Sequence, residues 1–261
     1  MSQFAHEPRT EERSSTPIVR LKTIDSTHRL AIDLAEKGKA FGCILVAENQ
    51  TAAVGRCGRK WISGEGNLSA SFLKAVPRPM DLGQTSLAAG VAVHEAILSH
   101  LPADDGLRLH WPNDVLHKGR KISGLLLAVV NEWLIISVGV NVNSSPDRHS
   151  TVSLAEVLTS PTAETTVPSA EDLVLQIDSS LGRWFGLTAS GDFVAVKEYW
   201  LRYVNEINSK IIIRNGNDVL SGTFVGLDDF GRLILENEGR KLFISSGDVF
   251  LDMEGIVVNH E

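Results

Sequence analysis

The chain is poor in cysteine. Cys43 and Cys57 are the only two among 261 residues. Neither a disulfide scaffold nor a Cys-rich zinc site is expected, and a reducing, cytoplasmic compartment fits. Long apolar runs are also missing: no stretch reaches the roughly 18 residues of a membrane span. The most apolar segment, Ile122 to Val130, is short and resumes beyond Asn131-Glu132. That is the pattern of two buried strands joined by a tight turn. Residues 1–17, MSQFAHEPRTEERSSTP, are polar and lack the apolar centre of a secretory signal, so they read as a flexible tail. The segment before Thr23 is too short for a helix-turn-helix domain. With 22 Gly and 9 Pro the chain is neither fibrous nor of low complexity. Basic charge is in deficit, with a net charge of -7, which argues against a bulk nucleic-acid-binding face. What remains is ordinary globular usage, 43% hydrophobic and 22% charged, with enough length for one large and one small domain.

Residues 18–24 alternate as a strand, and Asp25-Ser26-Thr27 offers side-chain oxygens to cap a helix that runs to about Lys37. Gly38 would end it. Strands are expected at Phe41 to Ala47, Leu68 to Val76 and Leu107 to Trp111, with a helix over Ser86 to His100. Pro112-Asn113-Asp114 reads as a turn, and Leu125 to Val130 with Trp133 to Val140 as a hairpin. Helices follow at Ser169 to Phe185 and Phe193 to Tyr203. Beyond Lys210 the rhythm changes to short strands about ten residues apart, at Ile211 to Ile213, Val219 to Val225, Arg232 to Leu235 and Lys241 to Ile244. Turns at Asn215-Gly216, Asp229 to Gly231 and Glu238-Gly239 separate them. This predicts a small all-β barrel behind a boundary near 206–209.

Two stretches depart from the acidic average. Residues 42–61 set Arg56, Arg59 and Lys60 against Glu48 alone, and residues 108–121 set Arg108, Lys118, Arg120 and Lys121 against Asp114 alone. These are the places able to hold an anion. The first lies in a segment, 48–67, without helical or strand period and rich in glycine, whose backbone N–H groups can approach phosphate oxygens closely. His94 on the apolar helix reads as a core or surface residue, and no spacing of ligands supports a metal site made only of protein groups.

The run from Gln50 to Trp61, with Gly55-Arg56-Cys57-Gly58-Arg59-Lys60-Trp61, resembles the biotin-binding loop of biotin–protein ligases, roughly Q-x-x-G-R-G-R-x-G-R-x-W. His110-Trp111-Pro112-Asn113-Asp114 with Lys121-Ile122-Ser123-Gly124 resembles that family's K-W-P-N-D and K-x-x-G. Ser137-Val138-Gly139-Val140-Asn141 resembles its G-x-G-x-N. Asp25-Ser26-Thr27-His28 is similar to its S-T-N start, and Gly222-Thr223-Phe224 with Ser246-Gly247-Asp248-Val249 to its end domain. Several residues differ from the pattern. Ala53-Val54 replaces a Gly-Arg pair, His110 stands for lysine, Ser137 for glycine, and Ala128 stands near a usual acidic position.

The resemblance implies an α+β fold: a mixed-sheet, class II synthetase-like catalytic domain over 18–207, then an SH3-like barrel over 208–261, the monofunctional type without a DNA-binding domain. It implies an ATP-dependent ligase that makes biotinyl-5′-AMP and passes biotin to a lysine of the biotin carboxyl carrier domain of a carboxylase. Mg²⁺ would come with the nucleotide. By motif position, Lys121 and Arg56 would be catalytic. Ser26, Thr27, Gln50, Val54, Arg56, Gly58, Arg59, Trp61, Lys121 and Gly124 would bind substrate. Arg59, Trp61, Asn113, Asp114 and Asn141 would serve the nucleotide. No nucleic-acid or membrane partner is implied, and pairing into a homodimer is open. Two other readings stand beside it. One is a degenerate biotin-binding or regulatory protein, suggested by Val54 and His110. The other is a lipoate or octanoate transferase of the same superfamily, which lacks the Trp-Pro-Asn-Asp segment and the end domain.

Overall fold

In a computed structural model, which describes residues 16–102, 106–158 and 166–251, seven strands form one sheet and five a second. The first is built from β1 (Ile18–Ile24), β2 (Cys43–Gln50), β3 (Leu68–Ala75), β4 (Leu107–His110), β5 (Asp114–His117), β6 (Arg120–Val130) and β7 (Trp133–Val140). Its order is β1-β2-β3-β7-β6-β5-β4, parallel between β1 and β2 and antiparallel elsewhere. The helices are α1 (Thr27–Glu36), α2 (Leu82–Leu98), α3 (Leu154–Leu158), α4 (Ala170–Ala189) and α5 (Phe193–Tyr203).

Alternation along the strands assigns each face its helices. Cys43, Leu45, Leu73 and Ile135 pack with Ala31 and Ala35 of α1. Their neighbours Ile44, Phe72, Leu134 and Ile136 point the other way, into a larger core shared with α2, α4 and α5. The α1 helix starts where Ser26, extended at φ -160°, accepts from the Arg29 N–H, and the chain leaves it through Gly38 at φ +64°. A capping box at Ser169 and Asp172 opens α4.

The second sheet comprises β8 (Lys210–Asn215), β9 (Asp218–Leu227), β10 (Leu233–Asn237), β11 (Arg240–Ile244) and β12 (Asp248–Leu251), in the order β11-β10-β9-β8-β12. Every pairing is antiparallel, and among the described residues no pairing of β11 with β12 closes the sheet. Its buried side chains Ile211, Phe224 and Leu233 belong to the same core as Leu87 and Trp111. The Trp111 indole N–H donates to the Gly231 carbonyl at 3.4 Å.

Several sequence expectations shift. The helix placed at Ser86 starts earlier, at Leu82, because the Asp81 carboxylate accepts from the Gln84 N–H. Asp114, read as the end of a turn, begins β5, paired with His110 across a hairpin too short to show a period. The hairpin strand placed at Leu125 reaches back to Arg120. The segment 48–67 is less featureless than expected. β2 extends to Gln50, residues Arg56–Gly58 make one 3₁₀ turn, and Val54 bridges Lys60. Of the expected tail, residues 1–15 lie outside the described residues, while the Pro17 carbonyl already accepts from the Ile44 N–H at 2.8 Å. No described helix is long and apolar enough to cross a membrane.

Candidate active site

Where α1 begins, the sheet face it covers loses its large side chains. Leu73 and Ile135 give way to Ser71 and Ser137, a registered pair, and then to Gly139, which pairs with Gly124 of β6. This leaves a cavity of about 270 Å³ beneath the 51–61 segment. Just beyond Asn141 of the lining, Asn67 fixes the chain: its Oδ1 accepts from the N–H groups of Val142, Asn143 and Ser144 at 3.0, 2.9 and 3.2 Å.

Ser26, Thr27, Gln50, Val54, Arg56, Arg59, Trp61, Asn113, Asp114, Lys121, Gly124 and Asn141 all line this cavity. Of the residues given a catalytic or binding role by the resemblance, Gly58 alone is absent from the lining; it sits exposed in the 3₁₀ turn at φ +74°, and of the second cationic stretch Arg108, Lys118 and Arg120 also stay outside the lining. Lys121, from the second cationic stretch, therefore shares the cavity with Arg56, Arg59 and Lys60 of the first. Arg56 Nη1 donates to Asn113 Oδ1 at 2.9 Å, and Lys121 Nζ lies 2.7 Å from Asp114 Oδ2. The same ammonium stands 5.6 Å from the Trp61 ring centroid. The Trp61 indole lies over Gly139, where a Cβ would come within 2.5 Å of ring carbons. Gly124 makes room for Lys121 in the same way, its hypothetical Cβ 2.9 Å from Cε and Nζ.

At the other end Gln50 Oε1 accepts from the Thr27 N–H at 2.8 Å and from Thr27 Oγ1 at 3.3 Å. Ser71 Oγ donates to Thr27 Oγ1 at 2.9 Å and lies 2.8 Å from Ser137 Oγ, which lies 2.8 Å from His28 Nδ1. Burial, helped by the Arg29 charge, lowers the His28 pKa, so the ring is neutral at pH 7. Among the described residues, three buried polar atoms of the lining lack a protein partner: Trp61 Nε1, Asp114 Oδ1 and Asn141 Oδ1. Buried polar groups are normally satisfied, so three orphans around one cavity mark a site built for a polar ligand.

His28, Ser71 and Asp248 escaped the sequence reading as site residues. The signal for Ser71 was present: with Ser69 it forms a polar i, i+2 pair among the apolar residues that open the strand. Asp248 stood out only within the end-domain motif, and nothing linked it to Arg59, 189 positions away.

The Biotin/lipoate A/B protein ligase family matches residues 21–143, and the Biotin protein ligase C terminal domain matches residues 207–252. A biotin--[acetyl-CoA-carboxylase] ligase of Mycobacterium tuberculosis is 32% identical over 216 residues, covering 80% of this chain and 78% of that one. The enzyme of the same name from Paracoccus denitrificans is 28% identical over 237 residues, 88% of this chain and 98% of its own. The chain belongs to the biotin protein ligase family. A biotin protein ligase from Aquifex aeolicus, solved in complex with biotin and ATP, superposes with a TM-score of 0.76 at 27% identity, covering 90% of this chain and 98% of that one.

Within this biotin ligase family framework, His110 occupies its lysine position in an unusual way. Burial opposes its charge, but the Glu206 carboxylate, 2.8 Å from Nδ1, outweighs that, with Asp114 adding to it and Lys121 opposing; the net pKa is raised. A raised folded-state pKa means the pair's stabilisation is complete below the ordinary histidine value and is lost as pH rises through the folded one. The stability gap between wild type and His110→Gln is expected to be widest near about pH 6 and to shrink toward about pH 9, read by urea unfolding across that range.

The family loop is also tied to the second sheet. Arg59 Nη2 meets Asp248 Oδ1 and Oδ2 at 2.6 and 2.5 Å. That hydrogen bond, against a smaller cost of burial, raises an already high pKa, so Arg59 remains cationic. Both side chains are substantially exposed, at 59% and 35%, so the pair adds little to global stability. Asp248→Asn is therefore expected to leave the melting temperature nearly unchanged while speeding amide exchange at residues 55–60. Unchanged exchange in that loop would show that the pair does not restrain it.

Proposed function

We propose that this chain binds biotin and ATP in the one cavity, forms biotinyl-5′-AMP, and transfers biotin to a lysine of a biotin carboxyl carrier domain. One observation carries the reading. Fixed cations, Lys121 and Arg56, line the same cavity as the uncharged polar group of Ser26, Thr27 and Gln50. A ligand with a carboxylate at one end and a cyclic urea at the other matches that division.

In the first step a carboxylate oxygen of biotin forms a bond to the α-phosphorus of ATP, and the bond to the β-phosphate bridging oxygen breaks, releasing pyrophosphate. In the second the lysine amine attacks the acyl carbon, AMP leaves, and the amine loses a proton as the amide forms. Both steps concentrate negative charge on phosphate oxygens, so pre-positioned cations lower both barriers. Lys121 would contact the carboxylate and the α-phosphate. Arg56 and Arg59 would hold phosphate oxygens, Trp61 would stack on adenine, and Asn113 and Asn141 would meet the nucleotide. Val54 would offer its carbonyl, Gly124 its open backbone, and Gly58 a turn at the rim. Mg²⁺ bound to the phosphates would neutralise their charge. Asp114 fits an ion that keeps most of its waters, because it offers one carboxylate oxygen without a partner among the described residues. Residues 18–207 would form the catalytic unit and 208–261 the unit that holds Arg59 through Asp248.

The acyl-adenylate is open to hydrolysis, so a loop that orders over it has a purpose. Amide exchange in residues 52–60 is expected to slow when biotin and ATP are both bound; equal exchange with and without them counts against a covering role. The direct test incubates the chain with ATP, Mg²⁺, biotin and a purified carrier domain, read by mass spectrometry. Gain of one biotinyl group on the carrier supports the reading. Biotin binding without transfer or adenylate would favour a degenerate binder, and modification with lipoic acid in place of biotin would favour the transferase reading.

A further inference from the structure

Two departures from the family pattern, His28 after Ser26-Thr27 and Ser137 in the glycine position, touch each other: His28 Nδ1 and Ser137 Oγ are 2.8 Å apart. They also end a chain of hydrogen bonds whose direction can be deduced link by link. The Thr27 backbone N–H can only donate, so the Gln50 atom 2.8 Å from it is the carbonyl oxygen. Thr27 Oγ1, facing that same oxygen, must donate as well. Its single proton is then committed, so it accepts from Ser71. The Ser71 proton is thereby used, so Ser137 donates to Ser71 and must accept from His28. A neutral imidazole carries one proton, and here it is held at Nδ1. The run is one-way: His28 to Ser137 to Ser71 to Thr27 to Gln50.

The two ends of this run present opposite characters. Gln50, its oxygen doubly engaged, keeps two amide N–H donors. His28 keeps the lone pair of Nε2. Both residues line the cavity, whereas Ser71, fully buried, lies behind it. Resting on the ligase reading above, we propose that His28 and Ser137 are specificity-determining residues for the ring end of the substrate. The hydroxyl chain locks His28 as an acceptor, while Gln50 remains a donor. The ligand class selected is a cyclic urea, which offers ring N–H groups to the one and a carbonyl oxygen to the other. A ring without N–H groups would leave the acceptor unpaired, and an unpaired buried polar group weakens binding more than a lost contact.

The test combines a spectroscopic and a binding readout on the full chain. Long-range ¹H–¹⁵N spectra of histidine-labelled protein at neutral pH are expected to show His28 protonated at Nδ1 and bare at Nε2. Ser71→Ala removes the acceptor of the Ser137 proton without altering the cavity lining. That hydroxyl can then turn to donate to Nδ1, and the tautomer is expected to shift toward Nε2–H. Ser137→Ala removes the partner of Nδ1 altogether. In calorimetry both variants are expected to bind biotin on the order of tenfold more weakly, with thermal unfolding confirming that they fold. Nδ1 bare in the wild type, or biotin affinity unchanged in both folded variants, would overturn the proposal alone. A wild-type chain that does not bind biotin would overturn the ligase reading and this assignment together.

Discussion

Lys121→Ala is expected to lower the rate of biotin adenylation by about 10²-fold or more while leaving the chain folded. The ammonium is held from three sides. Asp114 Oδ2 lies at 2.7 Å, the Trp61 ring at 5.6 Å, and Gly124 clears the space its last carbons occupy. A cation fixed this way needs no reorganisation when charge develops on the α-phosphate, which is why its loss falls on the chemical step more than on ground-state binding. The pair with Asp114 is partly exposed, at 32% and 21%, so its contribution to folding should not exceed about 1 kcal/mol. Single-turnover release of pyrophosphate from ATP with saturating biotin measures the effect, and urea unfolding supplies the control. A variant that retains the wild-type rate would remove Lys121 from the mechanism.

The second large effect is expected from a residue with no side chain. Gly139→Ala would place a methyl group 2.5 Å from Trp61 Cε2 and Cζ2 and 2.7 Å from Nε1. An indole cannot bend away as a lysine tip can, so the whole ring must leave its seat. The segment that carries it is pinned nearby, with the Trp61 N–H on the Ala53 carbonyl at 3.1 Å and Val54 bridged to Lys60. Aromatic stacking on a base is worth roughly 1–3 kcal/mol, so the KM for ATP is expected to rise about tenfold or more. Gly124→Ala crowds chiefly the flexible end of Lys121, with Asp114 Oδ1 at an ordinary 3.4 Å, and should cost less ATP affinity. Equal KM values for Gly139→Ala and wild type would mean that Trp61 is no platform for the nucleotide.

Some helix ends and most strands were legible from local chemistry, whereas the start of α2 and the short α3 were not. Ser26 and Ser169 cap as short oxygen-bearing side chains do, and the Asn131-Glu132 turn interrupts an apolar run. β5 was missed because four residues, half of them buried, carry no period, and their strand character comes from pairing with β4 and β6. β12 appeared only as a motif for a similar reason: it is held by β8, about 35 positions away, not by its own propensity.

At the site the division is sharper. Motif order and residue type, read along the chain, were enough to name the cations, the amide and the indole that line the cavity, since each motif is a local arrangement of turn, strand end and donor. Which partner each would choose was not. Arg56 takes Asn113 and Arg59 takes Asp248, while His28 finds Ser137 across 109 positions. The sequence alone determined which chemical groups are available. The tertiary structure decided which of them meet, because hydrogen bonds and ion pairs depend on a few tenths of an ångström in space. Strand register and helix start set those distances through the packing of the whole core.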